Sequence, residues 1–144
     1  NNPKIISQMS NELGRQSIVI SLDVIYNQNN QLCLYDYLNK KITTKTISSS
    51  ILDAMFYGAG EILISSVNKE GTLTGLDLNI FDQIDCEVKV PLIISGGANS
   101  NNDFKAAKNA GASGVAAGSM FVYHGGQNSI LINYPSQIEL NEMF

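Results

Sequence analysis

The sequence predicts an α/β fold of parallel strands alternating with helices, and three observations carry that prediction. Four short apolar runs rich in branched residues, Ser17 to Leu22, Ile62 to Ile64, Pro91 to Ile94 and Val115 to Ala117, read as strands. Their apolarity is continuous rather than alternating, the pattern of parallel strands buried on both faces. Helical patterns fill the intervals, which gives the order βαβα. Finally, Gly58-Ala59-Gly60-Glu61-Ile62-Leu63-Ile64-Ser65-Ser66 lines up with Gly111-Ala112-Ser113-Gly114-Val115-Ala116-Ala117-Gly118-Ser119, 53 residues further on. Two helix-stop-strand-serine units of this kind suit a barrel of βα repeats, and a doubly wound open sheet as well.

Each element has its own signals. A first helix is expected from Pro3, a favoured first-turn residue, to Leu13, with Ile5, Ile6, Met9 and Leu13 on one side and Gly14 as the stop. The polar stretch from Tyr26 to Lys45 contains Asn27-Gln28-Asn29-Asn30, a turn signal between Ile25 and the alternating residues Leu32 to Tyr37. It reads as a small hairpin or long loop after the first strand, at the ligand end of an α/β fold, with Tyr26, Tyr35 and Tyr37 packing it. A second helix from about Ser48 to Tyr57 takes Ser48 or Ser49 as its cap and ends at Gly58. A third, Asp77 to Ile84, takes Asp77 as its N-cap, and a fourth, Asn102 to Asn109, stops at Gly111.

At 144 residues and 44% hydrophobic the chain fits one domain, with no composition shift to mark a second. The net charge of -4 and the scattered basic residues argue weakly against a nucleic-acid role, which normally leaves a basic stripe. No apolar run reaches the eighteen or so residues of a membrane span, and the N-terminus lacks a signal-peptide plan, so the reading is a soluble, cytoplasmic protein. Cys33 and Cys86 have no metal-ligand spacing and read as reduced structural thiols; no metal and no cofactor are expected. His124, in a Tyr-His-Gly-Gly tail, has no nucleophile paired with it and reads as a surface or capping residue.

Ligands of parallel α/β folds bind beyond the carboxyl ends of the strands. The residues there are Asp23, Ser65-Ser66 followed by Glu70-Gly71-Thr72, Ser95-Gly96-Gly97-Ala98, and Gly118-Ser119. Glycines let backbone N–H groups approach an oxyanion with no Cβ in the way, and Gly118-Ser119 opens a short helix whose dipole favours phosphate. With lysine and arginine nearly absent from these loops, binding rests on amides and hydroxyls. Asp23 ends the first strand, as a general acid or base or as a loop cap. Glu61 opens the second strand at the opposite end, where residues more often serve stability.

These residues, Gly58 to Ser66 with Glu70-Gly71-Thr72 and Ser95-Gly96-Gly97-Ala98, resemble the second half of the cyclase subunit of imidazole glycerol phosphate synthase, from Asn2-Pro3 to about Phe121. The resemblance implies that residues 1–144 are the C-terminal half of a ribulose-phosphate-binding (β/α)8 barrel, strands 5 to 8, with the first half absent. It implies histidine biosynthesis, a phosphoribosyl-formimino substrate, and ammonia delivered up the barrel axis by a glutaminase partner. It makes Asp23 one of two catalytic aspartates and Glu61 a charged residue at the ammonia-channel entrance. It places Gly71, Gly97, Ala98, Gly118 and Ser119 on a phosphate site, and Ser65 and Ser95 on the pocket wall. Glu70 stands where the family has aspartate and Ser65 where it has threonine.

The ending Ile130-Leu131-Ile132-Asn133-Tyr134-Pro135-Ser136 resembles instead a paralogous branch from surface-polysaccharide clusters, which implies ammonia delivery to a sugar amidotransferase. A complete barrel needs about 250 residues, so the chain is expected to be part of a longer one or to require a second copy. Alone it is expected to be inactive, a phosphate-binding half-barrel with both sheet edges unpaired.

Overall fold

The computed structural model describes residues 3–124 and 129–143. Its centre is a six-stranded sheet in the order β3-β2-β1-β4-β5-β6. Four strands are parallel: β1 (Val19–Tyr26), β4 (Glu61–Ser66), β5 (Leu92–Ser95) and β6 (Gly114–Ala116). The other two, β2 (Leu32–Asp36) and β3 (Lys41–Ile42), are the hairpin expected after the first strand. Asn27 makes its turn: the side-chain oxygen accepts from the N–H of Asn29 at 2.9 Å and of Gln31 at 3.0 Å. Tyr35 and Tyr37 pack edge to face, 4.8 Å apart.

Helix α1 (Lys4–Leu13) precedes the sheet, α2 (Ile47–Tyr57) joins β3 to β4, and α3 (Asn101–Asn109) joins β5 to β6. Gly14, Gly58 and Gly111 follow these helices with φ of 82°, 104° and 109°, a region closed to most side chains. Beyond β6 come a single helical turn α4 (Ser119–Val122), a short ribbon of β7 (Tyr123–His124) and β8 (Ser129–Ile130), and α5 (Gln137–Met143). His124 contributes its backbone to β7, but its side chain and Gly125-Gly126 lie outside the described residues. No described helix is long and apolar enough to cross a membrane.

The strands are not buried on both faces as their composition implied. Along β4, Ile62, Ile64 and Ser66 are 0–2% exposed, while Glu61, Leu63 and Ser65 between them are half-buried. β1 and β5 alternate in the same way. The covered face packs Leu22, Val24, Ile62, Ile64, Leu92 and Ile94 against Ile47, Ile51 and Ala54 of α2 and Ala107 of α3. Among the described residues α2 and α3 pack on this face, and the side chains of the other face stay partly exposed.

Three local expectations are corrected. The cap of α2 is Thr46, whose hydroxyl accepts from Ser49 N–H at 3.2 Å. Ser48 is buried, and its hydroxyl accepts from Asp85 N–H at 3.0 Å, tying α2 to the segment before β5. Between β4 and β5 stands a six-residue 3-10 helix, Leu78–Gln83, and not an α-helix. Asp77 does not cap it: its buried carboxylate is turned toward Tyr26, whose phenol is pushed up by burial and then by this neighbouring charge. Finally, β1 continues past Asp23 to Tyr26, because the hairpin gives Val24, Ile25 and Tyr26 partners in Leu34, Cys33 and Leu32.

Candidate functional site

Strand register decides which expected residues meet. Asp23 pairs with Ser65, Ser65 with Ser95, and Ser95 with Ala116. Residues paired across parallel strands share a face and sit about 4.8 Å apart. Asp23, Ser65 and Ser95 therefore form one row across the uncovered face, level with the carboxyl ends of β4 and β5. Asp23 is half-buried with no ion pair among the described residues, and burial raises its carboxyl above the ordinary value.

Beside this row, Gly71, Gly97, Ala98, Gly118 and Ser119 line a single narrow slot, with Ser95 at its base and Glu70 on its rim. Its walls come from the loops after three successive strands. The backbone N–H groups of Gly71, Gly97, Ala98, Gly118 and Ser119 have no acceptor among the described residues. Such a set of unsatisfied donors in one concavity is the structural requirement for holding an oxyanion. Gly97 cannot be replaced freely, since φ is 90° and an added Cβ would lie 2.6 Å from the Gly75 carbonyl oxygen. The two backbones are held close because Gly75 N–H donates to Gly97 O at 2.8 Å, closing the loop of Ser66 to Gly75 onto the Gly97 turn.

Lys69 escaped the sequence reading, which passed from Ser66 to Glu70. It packs against the Gly97 turn, where an added Cβ would lie 3.0 Å from Lys69 Cβ, and its ammonium donates to Thr74 Oγ1 at 3.2 Å. Thr74 Oγ1 in turn shares a hydrogen bond with Thr72 Oγ1 at 2.8 Å. The Lys69 stem thus backs the Gly97 turn, while its ammonium is held by Thr74 and does not line the slot. Its only sequence signal was its place between two loop residues already singled out.

Glu61 is not brought to this row. It opens β4 opposite Val19, half-buried, with its N–H bonded to Ile18 O at 3.2 Å. It shares the uncovered face with Ser65, four residues on, and so lies about 13 Å below it. Between the two ends the face carries Ser21, Leu63, Ile93 and Gly114 in one register row, with no charged side chain. No group of three or more metal-ligating side chains occurs among the described residues.

Comparisons with known proteins bear on the family and the fold. A family model described as histidine biosynthesis protein matches residues 1–128. A putative imidazole glycerol phosphate synthase subunit HisF of Leptospira interrogans is 38% identical over 147 aligned positions, covering 99% of this chain and 57% of that protein. The corresponding putative subunit of Leptospira borgpetersenii is 34% identical over the same extent. The imidazole glycerol phosphate synthase subunit HisF of Bifidobacterium adolescentis is 36% identical over 131 positions, 85% of this chain and 50% of that protein. The chain thus spans about half the length of the curated relatives it matches. The family fold is a (β/α)8 barrel, and the four parallel strands with their one-sided helical cover are half of one. The chain belongs to the histidine biosynthesis protein family.

Proposed function

We propose that the protein containing this chain is a cyclase of the imidazole glycerol phosphate synthase type, joining glutaminase-derived ammonia to a phosphoribosyl-formimino substrate. The observation that carries this reading is the adjacency of Asp23, in one row with Ser65 and Ser95, to a slot walled by five backbone N–H groups without acceptors. A phosphorylated ligand anchored at Gly71, Gly97, Ala98, Gly118 and Ser119 extends across the row, past the serine hydroxyls, toward the Asp23 carboxyl. Burial holds that carboxyl nearer to the working pH than an exposed aspartate, which suits proton transfer during ring closure and cleavage. Ammonia enters at Glu61 and travels the uncharged row of Ser21, Leu63, Ile93 and Gly114. Neutral small and apolar side chains favour free ammonia over ammonium there.

Four further strands complete the enclosure. Among the described residues, residues 19–23 of β1 pair with β4 alone and β6 pairs only with β5, so both rims of the parallel sheet offer unpaired backbone. Ile5, Met9 and Leu13 of α1 are 44–57% exposed, and Val19 at the start of β1 is exposed as well. The partner is a complementary half-barrel, either from the same polypeptide or a second copy.

The test is Asp23→Asn in the full-length protein. Turnover is expected to fall to near zero with phosphate-ligand affinity kept; unchanged turnover would remove Asp23 from the chemistry. A second reading, ammonia delivery to another enzyme without ring closure, is favoured by Glu70, a carboxylate on the rim of an anion slot. Under it the full-length protein stimulates its glutaminase but forms no imidazole product.

A further inference from the structure

Residues 131–143 fold back across the top of α3 and α4 and build a second cavity there. Leu131 N–H donates to Val122 O at 2.9 Å and Asn133 N–H to Phe121 O at 3.0 Å. Tyr134 stacks on Phe121 with ring centres 4.9 Å apart and planes 32° from parallel, and Met143 is buried among Ala98 and Phe104. It is an open groove of about 570 Å³, within the 300–1,000 Å³ of small-molecule sites, and its Asn133, Tyr134 and Glu139 side chains are exposed. Asn99, Asn101, Tyr123, Asn133, Tyr134 and Glu139 line it. It shares only Leu73 with the anion slot, so it is a neighbouring compartment and not an extension of it.

The lining specifies its ligand by what it contains. No lysine or arginine contributes to the wall, which disfavours a phosphate or carboxylate there. The side-chain amides of Asn99, Asn101 and Asn133 make no hydrogen bond with any described residue, and each offers two donors and an acceptor. Glu139 accepts from the N–H and hydroxyl of Ser136, at 2.7 and 2.8 Å, which keeps its carboxyl below the ordinary range and charged. The wall is thus an aromatic platform, three unspent amides and one anion. Asparagine amides read the edges of planar bases, aromatic faces stack on them, and a carboxylate accepts from ribose hydroxyls.

We infer that this cavity is a binding site for the uncharged base and ribose of a nucleoside, separate from the phosphate slot. The family match ends at residue 128, so the site is built jointly: Asn99, Asn101 and Tyr123 come from the matched half-barrel, and Asn133, Tyr134, Ser136 and Glu139 from the tail that follows it. It stands or falls independently of the cyclase reading.

The experiment titrates the full-length protein with adenosine, methyl β-glucoside and inorganic phosphate by calorimetry. Adenosine is expected to bind, to lose about tenfold in affinity in Tyr134→Ala and in Asn133→Ala, the size of one lost stacking contact, and to keep its affinity in Tyr134→Phe. Saturating inorganic phosphate is expected to leave adenosine affinity unchanged, since the two compartments share only Leu73. The Phe variant guards against misfolding, since it keeps the ring that packs on Phe121. Absence of adenosine binding, or binding untouched by both alanine variants, overturns the site. Uptake of methyl β-glucoside in preference to adenosine overturns the nucleoside assignment. Loss of phosphate binding in wild type would sink the slot, with the adenosine result left to speak for the cavity alone.

Discussion

Asp23 shows how one side chain couples stability to its proposed role. Its carboxyl is raised from the ordinary 3.8 because burial penalises the charged form. The folded chain therefore holds the proton more tightly than the unfolded chain, so Asp23's favourable contribution is complete below pH 3.8 and is lost as pH rises through the raised value. Asp23→Asn is expected to raise the melting temperature at pH 7 and to lose that advantage as pH falls toward 4. Equal melting temperatures at pH 7 would contradict the desolvation. Among the glycines, Gly97→Ala forces a left-handed backbone and a clash with Gly75 O, and is expected to destabilise by about 2 kcal/mol or more. Gly118→Ala meets nothing within 4 Å at an ordinary φ of -116° and is expected to melt like wild type in a thermal scan. Asp23 and the glycine loops were legible because each follows an apolar run directly. Lys69 was not, since its approach to Gly97 depends on how the Ser66 to Gly75 loop folds back, and sequence order holds no trace of that.

Among the elements, the parallel strands and helices α1, α2 and α3 were readable to within a few residues, because glycine stops and branched runs punctuate them. What misled was the choice among neighbouring hydroxyls and carboxylates. Thr46, Ser48, Ser49 and Ser50 are equally plausible caps by type, and only the direction of helix entry selects Thr46. Thr46→Ala is expected to cost about 1 kcal/mol in urea unfolding as a lost cap. Ser48→Ala leaves the Asp85 N–H without its acceptor and is expected to cost about 1–3 kcal/mol, the penalty of a stranded partly buried donor. A larger effect at Thr46 than at Ser48 would reverse this assignment. Asp77 misled for the same reason: an aspartate before an apolar stretch is a good cap unless tertiary structure spends it elsewhere, here beside Tyr26.

For the whole molecule, the one-sided cover of the sheet sets behaviour in solution. An uncovered face bearing Leu63 and Ile93, two unpaired rims and the exposed stripe of Ile5, Met9 and Leu13 together form a surface that water solvates poorly. Residues 1–144 produced alone are expected to sediment as a dimer or larger species at micromolar concentration, and to convert to a 1:1 complex when the complementary half-barrel is supplied. A monomer in both conditions would mean that the face is tolerated. Continuous apolarity in the sequence recorded a strand meant for burial on both sides, and did not reveal that only one side is supplied within these residues.

The two ends of the strands also differ in how their amides are spent. At the N-terminal end Gly60 and Glu61 both donate to Ile18 O, Ile62 to Pro91 O and Ser113 to Leu92 O, while at the other end the slot amides have no acceptor among the described residues. Deuterium exchange should therefore run along the strands as a gradient, slow at Glu61 and Ile62 and fast at Gly97, Ala98 and Ser119. An anion seated in the slot would flatten that gradient from the fast end only, so the labelling pattern itself becomes a ligand detector that needs neither turnover nor a known substrate.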